Sequence, residues 1–335
     1  MSYSIANDAS KKRNNVFSLL PYKSAQESVS QAKKWLLPIV GIVAFLLMWS
    51  LAAKQVHTSL GALPGPYETA QQFNGLVDDH FASREREAAF YQRQEDRNQA
   101  KLAKDPNAEV RIRPYTGKAT FFDQIGTSLK TVAAGFLLAT VIAVPVGIVL
   151  GLNQSLYQAF NPIIQLLKPV SPLAWLPIIT MVVSATYVSD DPMFEKSFVN
   201  SLLTVCLCCI WPTLINTTVG VNSVDKDLLN VSKVLRLSWW QHVKTIVLPS
   251  AVPMIFTGLR LSIGIAWMVL IAAEMLAQNP GLGKFVWDEF QNGSSDSLGR
   301  IMVAVIVIGF IGLLFDRGML LLQKKLSWDK TQQLR

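Results

Sequence analysis

Residues Leu228 to Arg260 read LLNVSKVLRLSWWQHVKTIVLPSAVPMIFTGLR, a short basic stretch set between two long apolar runs. Its first part mixes Lys233, Arg236 and Lys244 with leucines, valines and the pair Trp239-Trp240, at a spacing that gives amphipathic helices. Its second part is apolar and is entered through Leu248-Pro249. Proline suits the first turn of a helix, where its missing N–H costs nothing. The stretch therefore reads as a polar helical hairpin wedged between membrane spans, closed by a proline that starts the next span. Such a hairpin offers a docking surface to a cytoplasmic partner.

Composition places the hairpin in a membrane protein. Of 335 residues, 50% are hydrophobic and 16% are charged, well under the roughly 25% charged content of soluble domains. The net charge of +8 does not indicate nucleic acid, because the basic residues lie beside apolar runs, where they orient spans. The basic patch with interleaved aromatics that a nucleic-acid binder needs is missing. Cys206, Cys208 and Cys209 fall together inside one apolar run. An odd, clustered set of this kind builds no disulfide framework and reads as small hydrophobic packing.

Six apolar runs are long enough to cross a bilayer. Residues 1–34 form a polar, lysine-rich tail, and the first run is 35–53. A signal peptide is the rival reading there, since Ser50-Leu51-Ala52 resembles a cleavage site, but the polar lead is long and the run full, which favours a retained anchor. Residues 54–123 are hydrophilic, with Leu63-Pro64-Gly65-Pro66 forcing a turn and mixed charges at helical spacing from Ser83 to Lys104. This segment holds ten basic and ten acidic residues, so it carries no positive bias and reads as a solvated face. The remaining spans fall within 124–322, at about 127–152, 163–188, 198–221, 249–277 and 301–322, with the hairpin loop at 225–248 and a basic tail at 323–335. Lys168-Pro169, Pro172 and Pro177 predict kinks in the third run. The N-terminal segment, the hairpin and the C-terminal tail are rich in Lys and Arg, whereas the opposite loops are acidic or balanced. The positive-inside rule then puts both termini and the hairpin in the cytoplasm and the 54–123 segment outside.

Much familiar chemistry is absent. The chain has no GxxxxGK[ST] phosphate loop, no metal-ligand spacing around His57, His80 and His242, and no nucleophile motif. The catalytic and metal assignments are therefore none. Two ionisable residues stand in the fifth span, Arg260 and Glu274. Fourteen positions place them about 21 Å apart along one helix, too far to pair directly. Arg260 either presents positive charge to an anion in the pathway or braces the hairpin through carbonyls near the cytoplasmic side. Glu274 is a pathway charge or a cap on the nearby loop Asn279-Pro280-Gly281-Leu282-Gly283.

The hairpin resembles the loop of inner-membrane permease subunits of binding-protein-dependent ABC importers. That family carries EAA, three residues, Gly, nine residues, then I-x-L-P. Here Ile246-Val247-Leu248-Pro249 matches the end in register; Asn230, Val231 and Ser232 hold the EAA positions and Arg236 the glycine position. The loss of the acidic residue and the turn glycine implies a bend, and contacts to the ATPase, that differ in detail. VLRLSWWQHVKTIVLPSAVPMIFTGLRLSIGIAWMVLIAAEML, GTSLKTVAAGFLLATVIAVPVGIVLGL from Gly126 and PVSPLAWLPI from Pro169 are similar to the nitrate branch, related to bicarbonate, cyanate, taurine and alkanesulfonate permeases. The resemblance spans roughly Phe122 to Trp328.

It implies an all-α type I importer fold with one extra N-terminal span before a five-helix core, in a bacterial inner membrane. It also implies a homodimer of permease copies, a separate cytoplasmic ATPase that binds ATP and Mg, and a periplasmic or lipid-anchored substrate-binding protein, with no cofactor on this chain. The cargo expected is a small inorganic anion, nitrate first. The coupling set is Asn230, Val231, Ser232, Leu235, Arg236, Trp239, Ile246, Leu248 and Pro249. Trp239 and Trp240 either anchor the ATPase contact or sit among lipid headgroups; Lys233 and Lys244 either meet acidic groups or enforce topology. A secondary transporter would need intramembrane acids and internal repeats, and a membrane scaffold gives no reason for the hairpin.

Overall fold

The computed structural model describes residues 22–58, 61–105, 109–188, 193–294 and 296–326. Two compact units divide between Glu68 and Thr69. In the first, helix α1 (Tyr22–Gln55) carries the expected first run, and the apolar part Leu36–Gln55 is long enough to cross a membrane. A two-residue ribbon follows, β1 (His57–Thr58) paired antiparallel with β2 (Gly61–Ala62). The indole N–H of Trp49 donates to the carbonyl of Pro64 at 3.1 Å, folding the Leu63-Pro64 turn back onto the helix end. The boundary tails, 1–21 and 327–335, lie outside the described residues.

Helix α2 (Pro66–Lys104) runs the length of the charged segment. The second unit then assembles α3 (Phe121–Leu152), α4 (Gln154–Leu167), α5 (Pro172–Thr186) and α6 (Lys196–Asn222). These are followed by α7 (Lys226–Val234), α8 (Trp239–His242), a π turn (Val243–Val247) and α9 (Leu248–Ala277). Helices α10 (Leu282–Asn292) and α11 (Ser297–Leu326) complete it. Five helical stretches of the described residues are long and apolar enough to span a bilayer, and the bent pair α4–α5 makes a sixth if counted as one span. The run expected at 163–188 is thus no single straight helix: α4 and α5 meet at about 100°. Pro169 cannot donate the N–H that would carry α4 onward, Ser171 accepts from the Leu173 N–H at 3.3 Å, and Pro172 opens a fresh helix at its first turn.

Helix α6 is the centre of the bundle. Thr204, Thr213, Thr217 and Thr218 are buried along it, and neighbours approach through small residues, the packing that works between helices in lipid. At Gly258 of α9 an added Cβ would lie 2.9 Å from the carbonyl oxygen of Pro212, so only glycine lets these two spans touch. One turn on, Ser262 Oγ donates to the carbonyl of Cys209 at 2.6 Å and lies 2.7 Å from Thr213 Oγ1. On the other flank Thr218 Oγ1 donates to the Gly147 carbonyl of α3 at 3.2 Å. The cysteines are free and pack within this apolar region.

At the end of the bundle away from the hairpin, α2 is fastened to the spans as far as Arg84. Gln72 donates to Asp296 at 3.0 Å, Arg300 reaches Asp79 at 3.4 Å, His80 Nδ1 lies 2.8 Å from Thr120 Oγ1, and Arg84 pairs with Asp123. Thr120 and Asp123 form the capping box that starts α3.

Candidate functional site

The hairpin leaves the bundle at Val224, which is buried. Asp225 caps α7 by accepting from the Asp227 N–H at 2.9 Å. Helix α7 ends in a turn whose bonds are those of a Schellman motif: the Leu237 N–H donates to the Ser232 carbonyl at 3.1 Å and the Arg236 N–H to the Lys233 carbonyl at 3.1 Å. That pattern demands a left-handed residue at its centre, and Arg236 takes it with φ of 48°. The bend is therefore made here by an arginine in the left-handed region, at the steric cost of its Cβ.

After the turn, Ser238 and Gln241 form a second capping box: the Ser238 N–H donates to Gln241 Oε1 at 3.0 Å, and Ser238 Oγ accepts from the Gln241 N–H. Ser232 Oγ and His242 Nδ1, 2.8 Å apart, tie the two arms of the hairpin together. The S-x-x-Q spacing was a readable start signal for α8. The Ser232–His242 bridge had no local signal, because its members pair only once the turn has closed.

The structure sorts the nine candidate hairpin residues into two sets. Ser232 and Ile246 face inward; Ile246 is buried, Leu248 packs against the Ile148–Val221–Val247–Ile255 cluster, and Val243 and Val247 join them. Asn230, Val231, Leu235, Arg236, Trp239 and Pro249 are exposed. The exposed set includes an apolar rim: Leu228, Val231, Val234 and Leu235 follow helical spacing on α7, with Val234 82% exposed, and Trp240, 75% exposed, stacks edge-on against Trp239 at 4.8 Å. Pro249 stands in the first turn of α9, as expected, but α9 has no free start there. The helix continues through it, because Val243–Val247 widens into a π turn in which the Leu248 N–H bonds back five residues to Val243. A π turn of this kind is one way for a helix to run into a proline, which has no N–H to donate. Hairpin and span are one continuous helical path from Trp239 to Ala277.

Arg260 and Glu274 have separate partners. Arg260 forks onto Asp316 of α11 through two donors, Nε to Oδ1 and Nη2 to Oδ2, the second at 3.0 Å. Asp316 escaped the sequence reading, although an acid within the 301–322 run was itself the signal. A buried Glu274 accepts from Ser128 Oγ at 2.7 Å and from the Gly283 N–H at 2.9 Å, while Ser128 Oγ accepts from the Leu282 N–H at 2.9 Å. Glu274 thus pins the loop that turns α9 into α10, at the end opposite the hairpin. No group of three or more metal-ligating side chains occurs among the described residues.

Comparison with known proteins gives these elements a setting. The family model described as "Binding-protein-dependent transport system inner membrane component" matches residues 143–328. A nitrate import permease of Synechococcus elongatus is 39% identical over 207 residues, covering 59% of this chain and 70% of the relative. A bicarbonate transport system permease of the same organism is 35% identical over 305 residues, covering 88% and 93%. A Bacillus subtilis protein described as a "Putative aliphatic sulfonates transport permease protein" is 30% identical over 213 residues, 63% of this chain and 72% of the relative. Among solved structures, a chain of the inward-facing MetNI methionine ABC transporter matches with TM-score 0.52 at 13% identity, over 62% of this chain and 95% of that one. At that identity the match speaks for the fold alone.

Proposed function

The chain belongs to the inner-membrane components of binding-protein-dependent transport systems, as an ABC importer permease of the nitrate-type group with the type I fold, and from that premise we propose that it carries a small inorganic anion, nitrate first and bicarbonate as the alternative. Relatives named for both anions match at similar identity, 39% and 35%. The observation that supports the coupled-permease reading is the hairpin: a rigid, twice-capped element with an outward apolar rim, continuous with a membrane-spanning helix.

In this reading the hairpin and both termini are cytoplasmic, the α2 segment is outside, and two copies of the chain pair around the pathway. ATP and Mg bind a separate ATPase, which supplies the hydrolysis this chain has no phosphate loop to perform. The rim of Val231, Leu235 and Trp239 seats in a groove of that ATPase, with Arg236 at the turn reaching its polar edge. When the ATPases close, a hairpin locked by the Ser232–His242 bond moves as one body. Its motion passes through the π turn into α9 without a flexible joint. From α9 it reaches α6 through the close contact at Gly258 and α11 through the Arg260–Asp316 pair, so both neighbours are displaced together.

The test is uptake of isotopically labelled nitrate and of labelled bicarbonate by the reconstituted permease–ATPase complex, supplied with its purified binding protein. ATP-dependent uptake of nitrate in preference to bicarbonate supports the reading as stated; preference for bicarbonate selects the alternative. Uptake driven by an ion gradient, and indifferent to a non-hydrolysable ATP analogue, would refute coupling to an ATPase.

A further inference from the structure

Read as sequence, the segment from Lys54 to Asp123 is balanced, ten basic residues against ten acidic, but the fold gathers five of the basic residues around one cleft. Arg93, Arg97 and Lys101 recur every four residues on α2 and share one face with Gln94. Beyond the helix the chain returns along that face without helix or strand. Gln94 holds it by a pair of bonds, its Nε2 donating to the Arg113 carbonyl at 3.0 Å and its Oε1 accepting from the Arg113 N–H at 2.5 Å. The Tyr115 N–H donates to Tyr91 Oη at 3.1 Å, and the Phe90 and Tyr115 rings pack 5.5 Å apart. Arg111 and Arg113 of this returning segment both face the basic side of α2. The two basic rows enclose a cleft of about 430 Å³.

All five cations are exposed, and none forms an ion pair among the described residues. At about 100° per residue, Glu95 lies about 160° and Asp96 about 100° round the helix from the middle of the Arg93–Lys101 row. Five like charges around one concavity give it a positive potential that draws in anionic groups. Arginine forks in particular match carboxylates two bonds at a time.

Position decides which anion. The last contact that fastens α2 to the spans is Arg84 with Asp123. Arg97 stands thirteen residues further along, about 20 Å down the helix axis. A small anion held there is well away from the spans it must cross, and the cleft is far larger than one such ion. A globular protein that seats over the spans is large enough to reach a site about 20 Å further along α2 than Arg84, and this family depends on a binding protein. We infer that the basic cleft between α2 and the returning segment is a docking site for a carboxylate-bearing surface of the external binding protein. The inference rests on the importer reading, with α2 outside the membrane. Charge complementarity of this exposed kind acts chiefly on association rate and partner choice.

The experiment uses the permease–ATPase complex in nanodiscs and its fluorescently labelled binding protein. Association rate and apparent KM for the binding protein are measured across a salt series. Arg93→Gln/Arg97→Gln should slow association about tenfold at low ionic strength, flatten its salt dependence and raise the apparent KM, with maximal turnover retained. An unchanged association rate and salt slope overturns the inference. So does a loss of maximal turnover at saturating binding protein, which would place the arginines in transport itself. At constant ionic strength, association governed by nitrate or bicarbonate rather than chloride would assign the cleft to a small anion. If the double variant instead loses affinity for vesicles of anionic lipid while binding-protein association stays intact, the occupant is a headgroup. A wild-type complex indifferent to its binding protein would sink the importer reading and the docking site together; normal wild-type coupling with an indifferent double variant sinks the docking site alone.

Discussion

Replacing Arg236 by glycine should stabilise the hairpin. The residue sits at φ of 48° between two bonds that close α7, Leu237 N–H to Ser232 and Arg236 N–H to Lys233, each at 3.1 Å. A side chain in the left-handed region costs about 1–2 kcal/mol through the clash of Cβ with the following carbonyl, and glycine escapes it. Against that, glycine is freer in the unfolded chain by about 0.5–1 kcal/mol. The Arg236 side chain is exposed and makes no hydrogen bond or ion pair within the described residues that its removal would forfeit. The net expectation is a gain of about 0.5–1 kcal/mol in local stability. That corresponds to roughly two- to fivefold slower exchange of the Leu237 amide, which reports opening of the turn. Asparagine, the next best residue at such a turn, should fall between arginine and glycine, while valine, β-branched and poorly suited to positive φ, should lose protection relative to the natural residue. Hydrogen exchange by mass spectrometry on the purified complex, corrected for intrinsic rates, reads all four. If Arg236→Gly weakens protection while Arg236→Val keeps it, the turn is not left-handed and the argument from its hydrogen bonds is wrong.

Three further outcomes are expected. Trp239→Glu places a charge in the exposed apolar rim and should lower coupled transport by about 2 kcal/mol or more, at least thirtyfold, the scale of an interface anchor; the protein should still insert and extract normally, and normal transport by this variant would refute the docking role of the rim. For the Arg260–Asp316 pair, Arg260→Gln or Asp316→Asn alone leaves one charge without its partner in a span, so each single variant should express and transport less well than the double variant; additive losses would show that the two side chains act independently. Labelling with a membrane-impermeant maleimide tests sidedness: in a background with Cys206, Cys208 and Cys209 replaced by alanine, a cysteine at Lys101 should react in intact cells and one at Trp240 only after lysis, and the reverse would invert the topology.

Several features were legible without a structure because they depend on residues close together in the chain. A membrane span is a matter of length and composition, and the apolar runs showed both. The hairpin was visible because its arms are short, amphipathic and bracketed by apolar runs, and I-x-L-P fixed its register. Arg260 and Glu274 stood out as charges in an apolar context. Their partners did not, since Asp316 is 56 residues from Arg260 and Ser128 is 146 from Glu274, and nothing local links either pair. The course of the helix through Pro249 was equally hidden: the proline marks a lost hydrogen bond, but whether the chain stops or slips into a π turn depends on what packs around Val243 and Val247.

Arg236 and the α2 segment divide the two kinds of knowledge most clearly. From the sequence alone came the membrane setting, the count of apolar runs, the family and the place of the hairpin, all properties of composition and spacing. The departure from glycine at Arg236 suggested an altered bend. In the tertiary structure the closing hydrogen bonds of α7 and the Ser232–His242 bridge together hold Arg236 in a left-handed conformation it would not choose. In α2 the sequence showed only a balance of charges, which is what a sum along the chain must show. The fold brought a helical face and the segment of Arg111 and Arg113 together, and charges that cancel in sequence no longer cancel in space. Potential depends on distance between charges in three dimensions, and those distances exist only once the chain has folded.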